Sequence, residues 1–127
     1  MSVKRLTSSF KDAMNGIRLA FENEQNFRLQ MIAGLVVLFF AVWLPIRDSE
    51  RLLIVIMVFM VLIMELLNTA MELFIDLLKP RLHHYAKAIK DIMAGAVFLT
   101  SFAAVIVGII IFGPYLIGFI KNLLTRV

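Results

Sequence analysis

Read only for hydrophobic and polar positions, the chain falls into an amphipathic segment followed by three long apolar runs. From residue 5 to about 25, Phe10, Ala13, Ile17, Ala20, Phe21 and Glu24 recur at spacings of three and four, which gives a helix one mostly apolar face. Ser8 or Ser9 is the expected cap of that helix. The first run, "LQMIAGLVVLFFAVWL", predicts a span over about 29–45, with Trp43 at its end as an interfacial aromatic. "PIRDSE" reads as a tight polar turn, and a second span is expected over about 51–78. "KPRLHHY" is a polar break, with Pro80 as the stop. A third span is expected over about 86–113, where "GPY" loosens the helix and "LIGFIKNLLTRV" becomes a short interfacial tail.

Composition turns this pattern into a membrane protein. Hydrophobic residues make up 61% of 127 residues and the mean hydropathy is +0.92. A water-soluble domain is roughly half apolar, and one of this size has too little interior to hide the excess. The expectation is an all-α membrane protein forming one domain over 1–127, a surface helix plus three transmembrane helices. No secretory leader is expected, because Asp12, Glu22 and Glu24 interrupt the first thirty residues. The absence of cysteine excludes disulfides, thiolate metal sites and cysteine nucleophiles.

The net charge of +4 suits anionic lipid or anionic ligands, and its distribution sets the topology. Lys4, Arg5, Lys11, Arg18, Arg28, Lys79, Arg81, Lys87 and Lys90 fall on one side of the predicted membrane. Arg47, Arg51, Lys121 and Arg126 fall on the other. The positive-inside rule puts the N-terminus and the second loop in the cytoplasm.

The chemistry lies in "MELLNTAMELFID", at the far end of span two. Residues seven apart nearly eclipse on a helix, so Glu65 and Glu72 share a stripe with Asn68, Thr69 and Asp76 beside it. An ionised carboxylate facing lipid is costly, so these should face a partner, a metal or water. Lys87, Lys90 and Asp91 form a second cluster at the start of span three, and Glu22, Glu24 and Arg28 a third at the start of span one. All three fall at one membrane face. Carboxylates from separate helices with nearby lysines can hold magnesium and polyphosphate, since magnesium takes a few hard oxygens plus substrate phosphates and lysine supplies a point charge. Plainer readings also apply. Asp76 reads as a helix-end charge, Lys79 and Arg81 as positive-inside anchors, and His83 and His84 as loop residues. Thr100 and Ser101 read as hydroxyls bonding back to their own helix.

"ELLNTAMELFID" followed by "HHYAKAIKDIMAGAV", with "GIRLAFENEQNFR" upstream, resembles the prokaryotic diacylglycerol kinase family, which includes undecaprenol kinases. The resemblance spans about residues 5–110. It implies a homotrimer with active sites shared between protomers, bacterial inner-membrane location, and transfer of the γ-phosphate of Mg-ATP to a lipid hydroxyl, with no nucleic acid involved. It implies Glu65 as catalytic base, Asn68 as the residue orienting that region, and Glu24 and Glu72 as the magnesium-holding carboxylates that also meet nucleotide. Lys90 and Asp91 match the nucleotide-contacting pair, with Arg5 and His83 as looser nucleotide matches. Asn26 and Arg28, beside Glu65, are expected to face the lipid substrate.

The chain departs from the family pattern at Asp12, where an aromatic is common, and at Gln30, where some diacylglycerol kinases carry an acid. "AGAV", "HHYAKAIKD" and Asn26 lean toward undecaprenol as acceptor, with diacylglycerol as the alternative by the same mechanism. Two other classes compete: a small oligomeric transporter with a carboxylate relay, and a structural membrane subunit. A transporter needs polar groups near the midplane, whereas these crowd one face. A structural subunit predicts no ATP turnover.

Overall fold

The computed structural model describes residues 3–78, 81 and 84–125. Four helices follow in order, α1 (Val3–Asn23), α2 (Gln25–Trp43), α3 (Asp48–Leu78) and α4 (Ala86–Leu124). Of these, α2, α3 and α4 are long and apolar enough to cross a membrane. At about 1.5 Å per residue, the 19 residues of α2 span about 28 Å, close to the thickness of a hydrocarbon core. The 31 residues of α3 reach about 46 Å and the 39 of α4 about 58 Å, so both overhang that slab.

Three boundaries differ from expectation, each for a local reason. α1 begins at Val3, ahead of both serines, and Ser9 Oγ donates to the carbonyl of Arg5 one turn back instead of capping. α3 begins at Asp48 rather than near Arg51. The Glu50 carboxylate reaches back to accept the N–H of Arg47 at 3.0 Å, half of a capping box, and Asp48 and Glu50 complement the helix dipole. α4 does not loosen at "GPY": it continues through Pro114 to Leu124. Pro114 offers no N–H to the carbonyl of Ile110, but the helix is held at this level from the side, where Tyr115 Oη donates to the carbonyl of Pro45 at 3.2 Å.

α3 is the middle helix and packs against both α2 and α4, while α1 lies across α2 and α3. One buried cluster, Ala41, Ile46, Ile54 and Ile111, closes the end of the bundle near the α2–α3 turn. Arg51 secures that turn by donating to the carbonyl of Ala41 at 2.8 Å. The outward faces carry large exposed side chains such as Leu35, Phe39, Phe98 and Ile109, as lipid contact requires.

At Gly34 a side chain of α3 lies directly against the backbone of α2. A Cβ added there would meet Val58 Cγ1 at 2.8 Å, which forces either α3 or the valine to move. Gly34→Ala is expected to cost about 1–3 kcal/mol of unfolding free energy. Gly118→Ala, whose Cβ meets nothing within 4 Å, is expected to change it by under about 1 kcal/mol. Unfolding in detergent micelles followed by circular dichroism checks both, and equal stability of the two variants would contradict this α2–α3 packing.

Candidate active site

Glu65 stands about 26 Å along α3 from Asp48, near the far boundary of a slab the height of α2. It is only 3% exposed. Ala20 of α1, Phe27 of α2 and Thr69 and Ile75 of α3 are also buried toward this end. Thr69 Oγ spends its hydrogen bond on the carbonyl of Glu65, at 3.0 Å, and so gives nothing to the carboxylate. Glu65 Oε2 is buried and accepts no hydrogen bond among the described residues. An unsatisfied buried oxygen of this kind costs about 1–3 kcal/mol or more.

Glu24 and Glu72 lie close enough to Glu65 to act on it as charges. Glu24 is the half-buried residue between α1 and α2. Its extended backbone (φ −110°, ψ 113°) turns the chain, and its side chain makes no capping bond. Glu72 is two turns beyond Glu65 on α3. Asn68 Nδ2 donates to Glu72 Oε1 at 3.2 Å, while Asn68 Oδ1 is buried without a partner among the described residues. The amide therefore braces Glu72 directly, leaving its carbonyl oxygen free for another donor.

The two charges expected to act together on nucleotide have separate partners. Lys90 Nζ donates to Asp76 Oδ1 at 2.8 Å, joining α4 to α3. Asp91 Oδ2 accepts from Lys87 Nζ at 3.3 Å, within α4. Asp76 is thus more than a helix-end charge. The signal that pairs it with Lys90 is present in the sequence: both are seven residues from position 83, and in an antiparallel hairpin residues equidistant from the turn face each other.

Arg28 is committed to backbone. Its Nη1 donates to the carbonyls of Phe21 and Glu22 at 3.0 and 3.1 Å, two of the orphan acceptors at the end of α1. Glu22 itself pairs with Arg18 at 2.7 Å. Asn26 is exposed in the first turn of α2, and Arg5 is exposed near the start of α1, in no ion pair among the described residues. His83 lies outside the described residues.

Among the described residues no group of three or more His, Cys, Asp or Glu side chains gathers closely enough to cage a metal. Magnesium is commonly held by one or two carboxylates with substrate phosphates completing its shell. Glu24, whose side chain makes no capping bond, and Glu72, with one oxygen engaged by an amide, fit that lighter role.

Comparison with known proteins bears on the same residues. The family model for prokaryotic diacylglycerol kinase matches residues 11–112, which takes in α2, α3 and the site carboxylates. A diacylglycerol kinase of Synechocystis is 39% identical over 81% of the chain, which spans 59% of that longer relative. An undecaprenol kinase of Bacillus subtilis is 34% identical over 90% of the chain and 93% of its own length. A diacylglycerol kinase of Escherichia coli is 34% identical over 72% of the chain and 75% of its own.

The tether made by Arg28 generates a prediction. Its two bonds are solvent-exposed, so their contribution is about 1 kcal/mol rather than the larger value of buried charged bonds. Arg28→Ala is expected to speed amide hydrogen exchange in residues 17–24 about fivefold, with α3 unaffected. Unchanged exchange would remove the tether.

Proposed function

The chain belongs to the prokaryotic diacylglycerol kinase family of lipid kinases, and on that premise we propose that it transfers the γ-phosphate of Mg-ATP to the hydroxyl of a membrane lipid at the cytoplasmic face. The observation that carries this reading is Glu65, whose buried carboxylate oxygen has no partner among the described residues where the apolar part of α3 gives way to its charged end. A base there meets a hydroxyl that arrives through lipid, while the charged overhang meets a phosphate donor that arrives through water.

In this reading Glu65 accepts the proton of the lipid hydroxyl as its oxygen bonds to the γ-phosphorus. The bond from that phosphorus to the bridging oxygen of ADP breaks, and ADP leaves. Magnesium, when bound, neutralises charge on the phosphates. Glu24 and Glu72 would hold it, with Asn68 fixing Glu72. Lys90 lies where it can exchange Asp76 for a phosphate oxygen, and Arg5 and Asp91 flank the nucleotide. Most of the acceleration in phosphoryl transfer comes from such positioning and charge. The proposed setting is the bacterial inner membrane, with the N-terminus and second loop cytoplasmic, in a homotrimer whose protomers share sites. The crowding of carboxylates at one end of the bundle favours surface chemistry over a transport relay.

Mixed micelles containing purified protein, magnesium and labelled ATP, with undecaprenol or diacylglycerol supplied separately, test the reading. Labelling of neither lipid would refute it. Glu65→Gln is expected to cut the rate by at least about 10²-fold with the fold intact, and full activity would remove Glu65 as base. Glu72→Gln is expected to raise the Mg-ATP concentration needed for half-maximal rate more than that of lipid. An equal response to both would take Glu72 out of the metal site.

A further inference from the structure

From Ile92 to Ile120 the chain carries no charged residue, about 43 Å of helix. To fit a hydrocarbon slab of about 30 Å, that length needs a tilt of about 45°, beyond the usual range of up to about 40°. The same tilt would leave α2, at about 28 Å, spanning only about 20 Å. Tyr115 shows where the excess lies. Its bond to the carbonyl of Pro45 sets it level with the chain just past Trp43, the last residue of α2. Residues 116–124 extend about 13 Å beyond that level, past residue 112, where the family match ends. Apart from Gly118, every residue from Leu116 to Thr125 is exposed.

The exposed residues are sorted by side. At about 100° per residue, Phe119, Leu123, Leu116, Ile120, Leu124 and Ile117 fill one continuous arc of about 160°. Lys121, Thr125, Gly118, Asn122 and Tyr115 fill the remainder. The apolar arc prolongs the outward stripe of the same helix. Phe98, Phe102, Val105 and Ile109 are exposed at spacings of four, three and four, and Leu116, Ile120 and Leu123 follow at seven, four and three. Pro114 stands on the polar side, seven residues before Lys121. Its ring crowds the carbonyl of Ile110, so relief of that contact leans the helix away from Pro114 and toward the apolar arc.

We propose that residues 115–124 dock on the phospholipid surface of the leaflet farther from Glu65. α4 leans at Pro114, the apolar arc enters the acyl chains, and Lys121 reaches the headgroup phosphates with Asn122 beside it. A helix with a wide apolar face and a cationic polar face takes this position in a bilayer. Lys121 makes no ion pair among the described residues, which leaves its ammonium open to a phosphate oxygen. Tyr115 suits the same boundary, with its ring toward hydrocarbon and its hydroxyl on Pro45. A second copy of the chain fits the arc less well, because the seam that pairs two helices is narrower than this face. The Pro45 bond anchors the base of the arm, and the docked arm sets the depth of α4, whose other end carries Lys90.

Single tryptophans test the docking in the full chain reconstituted in phosphatidylcholine vesicles. Trp43 is the chain's single tryptophan, so Trp43→Phe provides a silent background. On that background, Phe119→Trp and Leu123→Trp are expected to emit with a blue shift and to be quenched by phospholipid brominated on its acyl chains. Asn122→Trp is expected to emit further to the red and to be quenched by aqueous iodide instead. Equal iodide quenching at all three positions would put the segment in water and overturn the proposal. Shielding of positions 119 and 123 from both quenchers would overturn it too, by giving the arc to a second copy of the chain. The lean at Pro114 has its own test. Adding Pro114→Ala is expected to weaken bromolipid quenching at position 123 more than at 119, and unchanged quenching at both would overturn the lean. These substitutions lie outside the candidate active site, so the outcome is independent of the kinase reading.

Discussion

Holding a carboxylate at 3% exposure on a helix that has just crossed an apolar slab obliges the neighbouring helices to keep lipid away from it. α1 supplies part of that cover by lying across α2 and α3, with Ala20 fully buried and Ile17 half-buried, while Phe10 and Phe21 face outward. Its position depends on a short connection. Glu24 turns the chain in one residue, and Arg28 reaches back from α2 to take up the last carbonyls of α1. α3 is central for the same reason, since a helix carrying the buried acid must be flanked on more than one side. The Gly34 approach permits α2 to lie against it.

The remaining charges at this end differ from Glu65 in height and in partnership. Glu72 and Asp76 are two and three turns further along α3 and more exposed, and each has a partner: Asn68 for Glu72 and Lys90 for Asp76. A partly exposed pair such as Asp76–Lys90 adds little stability, of order 1 kcal/mol or less. That weakness matters in the proposed reaction, because a lysine held loosely can be handed to a phosphate at small cost. Glu65 is the contrary case: it is deep, and one of its carboxylate oxygens accepts no hydrogen bond among the described residues.

Much of this was legible from spacing. The three spans, the Glu65–Glu72 stripe and the charge clusters follow from helical periodicity and hydropathy, which are local properties. The sequence reading failed where an outcome depended on competition or on a second helix. Ser9 has the chemistry of a cap, but the backbone one turn back claimed its hydroxyl. Pro114 has the chemistry of a stop, but α4 is held beside it through Tyr115 and Pro45, seventy residues apart in the chain. The bonds from the Arg28 guanidinium back to the end of α1 also depend on a second helix, and spacing alone does not show them.

The mismatch in helix length ties these observations together. α2 is about as long as the slab is thick, so it fixes the level at which hydrocarbon ends. Glu65 falls near that level, and Glu72, Asp76 and Lys90 above it. A lipid hydroxyl is confined to this level by its own tail, and a nucleotide is excluded from below it by its charge. In the proposed reaction the two meet where the apolar part of α3 and its charged overhang share a boundary. An overhanging α3 between a slab-length α2 and a second long helix provides such a boundary in few residues. Shortening α3 by two turns at its C-terminal end would remove Glu72 and Asp76, the carboxylates that stand above the buried acid in the proposed reaction.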